Sequence, residues 1–192
     1  MMLSYDDALK LLYRYGGDGS WIRHCLAVSL VAKSVGDVLA PRCALDTDSL
    51  TIGALLHDIG RYKTHDPILH GVEWYRLLSG LGHEREAFIC ASHILCGMAR
   101  DEAPLYGLPR KDFLPLTLEE RLVPLIDGVV EFDKPTTFTK RCESIARRYQ
   151  GNEQFLRRFV AASATARKFL DDLYNDYGIS VENIAAEALG RP

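Results

Sequence analysis

The chain has 192 residues, 23 basic and 26 acidic, for a formal net charge of −3, with 47% hydrophobic and 26% charged residues. That length can bury a core of its own as one domain over residues 1–192, and the composition is that of an ordinary globular protein. The charge balance excludes bulk electrostatic capture of nucleic acid, no apolar run approaches the ~20 residues of a membrane span, and five irregularly spaced cysteines argue against a secreted disulfide framework.

The start, Met1-Met2-Leu3-Ser4-Tyr5-Asp6-Asp7, lacks the charged and apolar stretches of a secretory leader, so the expected compartment is the cytoplasm. Ser4, with Asp7 three residues on, caps a first helix through about Tyr15. Gly16-Gly17-Asp18-Gly19 breaks it, and Ser20 caps a second helix to about Ala40. There Ile22, Leu26, Ser29 and Leu30 follow an i, i+4, i+7, i+8 spacing, and His24 lies in the first turns. Asp48 or Ser49 opens a third helix, apolar until His57-Asp58, which predicts an enclosed helix delivering a polar pair at its C-terminal end. Gly60 allows a turn, and residues 61–69, with Pro67, form a loop over that pair.

A fourth helix is expected from about His70 to Leu78, and a fifth from about Glu84 to Leu95 carrying His93. Residues 96–115 hold three prolines and two glycines and read as a long loop, of the kind that serves as a lid. Thr117 caps a sixth helix that holds Asp127, and Pro124 predicts a kink just before it. Residues 139–149, 153–177 and 181–189 read as helices. With no strand alternation, internal repeat or low-complexity tract, the fold class is all-α.

The chemistry concentrates in Leu55-Leu56-His57-Asp58-Ile59-Gly60-Arg61. Neighbouring helical residues point about 100° apart, so His57 and Asp58 can approach one ion, or two adjacent ions, from different directions. A buried carboxylate needs a compensating partner. A divalent cation is the simplest one, with His24 and Asp127 as further ligands. Imidazole and carboxylate suit Fe, Mn, Zn, Ni or Co, and an aspartate with two oxygens can bridge two ions.

This H…HD…D pattern, with HD inside Leu-Leu-His-Asp-Ile-Gly, resembles the signature of the HD-domain metal-dependent phosphohydrolase superfamily. The matching positions are His24, His57, Asp58 and Asp127, within a core of about residues 21–133, followed by a C-terminal helical extension over about 139–192. The resemblance implies an all-α HD-domain bundle holding divalent transition metal. One subgroup, the YqeK-like symmetrical diadenosine tetraphosphate hydrolases, adds two histidines between the HD pair and the last Asp. His70-Gly71, and His93 before Gly97, look similar, which implies metal ligands His24, His57, Asp58, His70, His93 and Asp127 and two ions.

Arg61 stands where the family often has Lys, so Asp58 and Arg61 are the expected catalytic residues, and Arg61 and Lys63 the expected phosphate contacts. The implied activity is hydrolysis of a phosphate ester or anhydride in a nucleotide or related small phosphorylated metabolite, by attack of metal-bound water. Two other readings stand beside it: a one-metal nucleoside monophosphate nucleotidase, and a non-catalytic nucleotide-binding HD module. His65 and His83 read as ordinary loop and helix-start residues, and Cys90 and Cys96 as small buried residues. Arg100 and Lys134 are weaker phosphate candidates. Lys140, Arg141, Arg147, Arg148, Arg157 and Arg158 are interleaved with acids and read as a solvated face or a homodimer contact.

Overall fold

The computed structural model describes residues 3–190, so the expected domain ends at 1 and 192 and the first two residues of the leader reading lie outside them. The helices are α1 (Tyr5–Gly16), α2 (Trp21–Leu39), α3 (Thr47–Leu56), α4 (Leu69–Gly80), α5 (Glu84–Ser92), α6 (Leu118–Asp127), α7 (Phe138–Arg148), α8 (Glu153–Tyr177) and α9 (Val181–Gly190). Most starts trace to a side-chain acceptor for an orphan amide. Ser4 takes the Asp7 amide at α1, and Thr117 and Glu120 close a reciprocal capping box at α6. Thr137 and Asn152 cap α7 and α8. The fold is all-α.

Local readings shift in four places. The cap of α3 is Asp46, whose carboxylate accepts the Ser49 amide, rather than Asp48 or Ser49. Ser20 precedes α2 but makes no side-chain cap bond. The fifth helix ends at Ser92 rather than Leu95, because Leu95 and Cys96 turn into the left-handed region at φ 50° and 59°. A small antiparallel hairpin, β1 (Val130–Glu131) and β2 (Lys134–Pro135), was not expected. Two-residue strands are too short for alternation to register.

The long loop is not a lid. It carries a 3-10 turn at Ala103–Tyr106 and a bridge between Met98 and Phe113. Met98, Ala103, Leu108 and Phe113 are buried in the core. Its apolar side chains anchor it there, and none of residues 97–115 lines the cleft described below.

The architecture is organised by α3, in which every residue from Ser49 to Leu56 is buried. Ile52, Leu55 and Leu56 face an apolar cluster shared with α1, α4, α5 and the long loop. Leu50 and Ala54 face a second cluster shared with α2, α6, α8 and α9. The C-terminal helices therefore build part of the same core. Fully burying a leucine stabilises by ~1.5–3 kcal/mol, so a helix enclosed on both sides is held rigidly. Its C-terminal end is a fixed platform for His57 and Asp58.

Candidate metal centre

The end of α3 sets the first two ligand candidates. His57 is the C-cap, and Asp58, at φ −104° and ψ 5°, leaves the helix before a 3-10 turn at Ile59–Tyr62. That bridge conformation turns the carboxylate out of helical register, as at many functional residues. His24 comes from α2, His70 from the first turn of α4, His93 from the cap of α5, and Asp127 from the last residue of α6. Two glycines bring these elements together. A Cβ on Gly60 would lie 1.7 Å from the His70 carbonyl oxygen, and one on Gly71 would lie 2.7 Å from the Cys90 carbonyl oxygen. Only glycine permits these approaches of the 3-10 turn to α4 and of α4 to α5.

All four histidines are oriented alike. Each contacts a backbone carbonyl through Nδ1: His24 with Phe132 at 2.8 Å, His57 with Ala54 at 2.7 Å, His70 with Asp66 at 2.7 Å, and His93 with Cys90 at 2.8 Å. A carbonyl can only accept, so every Nδ1 carries the proton and donates. Rings so held turn their Nε2 atoms to the interior, the arrangement in which metal-bound histidines are fixed.

Those nitrogens converge on two carboxylates. His24 Nε2 is 2.9 Å from Asp127 Oδ1, and His57 Nε2 is 3.8 Å from the same oxygen and 3.9 Å from Asp58 Oδ2. On the other side, Asp58 Oδ1 is 3.0 Å from His70 Nε2 and 4.0 Å from His93 Nε2. His57 Nε2 and His70 Nε2 are buried without a hydrogen-bond partner. The ligand atoms of His24, His57 and Asp58 lie within 4.8 Å of one another, as do those of Asp58, His70 and His93. Asp58 belongs to both groups.

The electrostatics agree. Burial opposes charge on Asp58, but Arg61, His57 and His70 outweigh it and hold the carboxyl well below its ordinary range. Burial likewise opposes charge on Asp127, where the His24 hydrogen bond and Arg141 prevail and keep it anionic. Burial pushes His57 down, and burial together with His57 and His70 pushes His93 down to about 3. For His24 the Asp127 carboxylate outweighs burial and raises the pKa. Two anions, two neutral imidazoles and orphaned inward nitrogens form a donor set that fits divalent cations.

A pH dependence follows. The unfolded chain protonates histidine near 6.5, whereas folded His93 resists to about 3 and His57 shifts the same way, so the unfolded state binds more protons in that window. Depressed Asp58 and Asp127 add stability that is lost only below the ordinary carboxylate range near 4. His24 has the opposite sign, contributing stability below 6.5 that is lost as pH rises through its raised pKa. Two histidines against one give a net fall: the melting temperature of the chelator-treated protein should decrease from pH 6.5 to pH 4. Calorimetric melts at stepped pH check this, and a flat or rising profile contradicts it.

Arg61 is placed at the cleft but has a second task. Its Nε donates to Asp58 Oδ2, and the side chain is only 21% exposed. The sequence reading had it contact substrate alone. With this geometry Arg61→Ala should also lower metal affinity about 10- to 100-fold, the usual cost of losing a residue that orients a ligand. Arg61→Lys should recover only part, since an ammonium lacks the guanidinium's fixed geometry. Metal titration of the two variants reads this, and wild-type affinity in both would contradict it.

Lys63 is not brought to the site: it pairs with Glu73 on the surface and does not line the cleft. Nor do Arg100, Lys134, His65 and His83. Sequence reasoning missed Arg141 and Arg148. Arg141 is buried, with Nη2 3.6 Å from Asp127 Oδ1 and Nη1 3.5 Å from Glu131 Oε1. Arg148 reaches the same Glu131 oxygen at 3.6 Å. Both line the cleft, so the solvated-face reading is corrected for these two. The available signal was the stripe Phe138, Arg141, Cys142, Ile145, Arg148 and Tyr149, which recurs at helical spacing on one face of α7.

Comparison with known proteins places residues 21–130, which contain all six ligand candidates, on the HD domain family model. The chain is 33% identical over 160 residues to an uncharacterised protein of Methanocaldococcus jannaschii, covering 82% of this chain and 94% of that one. It is 35% identical over 127 residues to a tRNA (cytidine(56)-2'-O)-methyltransferase of Thermoplasma volcanium, and 35% identical over 130 residues to that of Picrophilus torridus. The matches span 66% and 67% of this chain but only 36% and 37% of those two relatives. No solved structure matches significantly. Among the described residues, no helix is long and apolar enough to cross a membrane.

Proposed function

We propose, from the premise that the chain belongs to the HD-domain family, that it is a metal-dependent phosphohydrolase of a nucleotide or related small phosphorylated metabolite. The observation that carries this reading is the common orientation of four histidines, each Nδ1 on a backbone carbonyl and each Nε2 turned to Asp58 or Asp127. His24, His57, Asp58 and Asp127 would hold one ion, and Asp58, His70 and His93 a second. Bound divalent transition metal would supply Lewis acidity toward water and phosphoryl oxygen.

The chain's own residues do the rest. Asp58 faces both ligand groups, one oxygen to each, and Arg61 fixes the orientation of its carboxylate. Arg141 and Arg148 extend positive charge along the cleft from α7. A phosphate in this cleft, drawn by cations that the histidines and carboxylates would hold, would meet these guanidinium groups on its outer oxygens, where charge-assisted hydrogen bonds are strongest. Water oxygen bonds to phosphorus as the ester or anhydride bond breaks, and the departing oxygen takes the proton.

The two tRNA methyltransferases correspond to this chain over only about a third of their length, and their activity is not carried over to it. The test is phosphate release by the chelator-stripped chain reloaded singly with Mn, Fe, Co, Ni or Zn. Nucleoside monophosphates, dinucleoside polyphosphates and aryl phosphates form the panel. Metal-dependent release from at least one class is expected. No release by a fully loaded protein, with tight nucleotide binding, would instead support the binding-module reading.

A further inference from the structure

Beyond its charged end, the same cleft runs along a wall of carbon. Phe155, Phe159, Ala162 and Ala166 stand at i, i+4, i+7 and i+11 on α8 and share one face of that helix, and all four line the cleft with Leu95 and Ile145. Side-chain bulk falls along this face from two phenyl rings to two methyl groups. The cleft as a whole, charged end included, holds about 130 Å³, and this wall forms its far side. Where such a wall is apolar, hydrocarbon fills it better than water does.

Polar groups on this wall are few. Outside Arg141 and Arg148, the lining residues of α7, α8 and the turn between them offer only the hydroxyls of Tyr149 and Ser163 and one thiol. The Cys142 thiol contacts Ser163 Oγ at 3.7 Å, and the Cys96 thiol is turned to the Ala162 carbonyl at 3.6 Å. This stretch of lining contains no carboxylate, carboxamide or imidazole. A nucleoside would bury ribose hydroxyls and base edges there largely without partners, which is costly.

We propose that the substrate is a phosphate monoester of a compact apolar alcohol or phenol, its phosphate at the histidine–carboxylate end and its hydrocarbon part against α8. This rests on the hydrolytic reading above and narrows it. One bond forms, from water oxygen to phosphorus, and one breaks, from phosphorus to the ester oxygen. That oxygen takes the proton from water and leaves as the alcohol.

The experiment uses the metal-loaded full chain. Calorimetry compares benzylphosphonate with adenosine 5'-monophosphate, and kcat/KM is measured for benzyl phosphate and the same nucleotide. The apolar ligand should bind about 10- to 100-fold more tightly, the discrimination a hydrophobic pocket can exert on added hydroxyls. Ala162→Leu, which fills the wall, should weaken benzylphosphonate binding about tenfold with metal content and inorganic phosphate affinity unchanged, a loss of the size that a single methylene can cause. If that variant fails to fold, the wild-type comparison alone decides. A nucleotide bound as tightly as benzylphosphonate, or more tightly, overturns the proposal. Benzylphosphonate bound preferentially without any turnover of benzyl phosphate upholds the ligand class and overturns the hydrolytic reading.

Discussion

Asp58→Asn is expected to lower kcat/KM by at least about 10³-fold, the upper range for losing one preorganised electrostatic group, and to reduce bound metal to near zero. The reason is that Asp58 alone belongs to both ligand groups, so its loss removes charge from each at once. A carboxamide keeps the shape but cannot supply an anionic oxygen to either side. Stability should fall as well. Arg61 would keep a guanidinium that is 21% exposed and has lost its partner. Removing one member of a buried ion pair costs about 3–5 kcal/mol, and the residual exposure of Arg61 favours the lower figure. Metal analysis, turnover and a denaturation curve are read on one preparation. A variant with wild-type metal content would remove Asp58 from the centre.

Gly60→Ala carries the second large effect, and here two terms of opposite sign compete. Restricting the unfolded chain would stabilise by ~0.4–1 kcal/mol if the native backbone tolerated the methyl group. The added Cβ would instead lie 1.7 Å from the His70 carbonyl oxygen and 2.6 Å from its carbon, both backbone atoms that cannot rotate away. Overpacking of that severity costs about 3 kcal/mol or more, so destabilisation wins. At ~2–4 °C per kcal/mol for a domain of this size, melting should drop by at least roughly 6–12 °C. The displaced residue is His70, so a cation held by Asp58, His70 and His93 should be lost before one held by His24, His57 and Asp127. A thermal scan and a metal count decide it. Unchanged melting and full metal content would mean that α4 can move away without cost.

Much of this was legible from local signals. His57 and Asp58 could be placed because an apolar run delivers them, and the helix expected over 153–177 is α8, which Asn152 and Gly178 cap at its two ends. The cap of α3 was missed because Asp46, Asp48 and Ser49 all look like caps and only geometry selects Asp46. Arg141 was hidden for a different reason. Arginine on a charged helix reads as solvated, and its burial depends on α7 folding back over Asp127, a contact between residues 14 apart in sequence. The loop of residues 96–115 misled because proline and glycine report irregular backbone, whereas its buried Met98 and Phe113 decide where it packs.

The central claim is that Asp58 stands between two cation sites, and counting the ions tests it most directly. Metal-stripped wild type, His70→Ala and His93→Ala are each titrated with Mn or Zn, and bound metal per chain is measured after desalting. Two ions in the wild type and one in each variant is the predicted result. A single ion in the wild type, retained by both variants, would contradict the account.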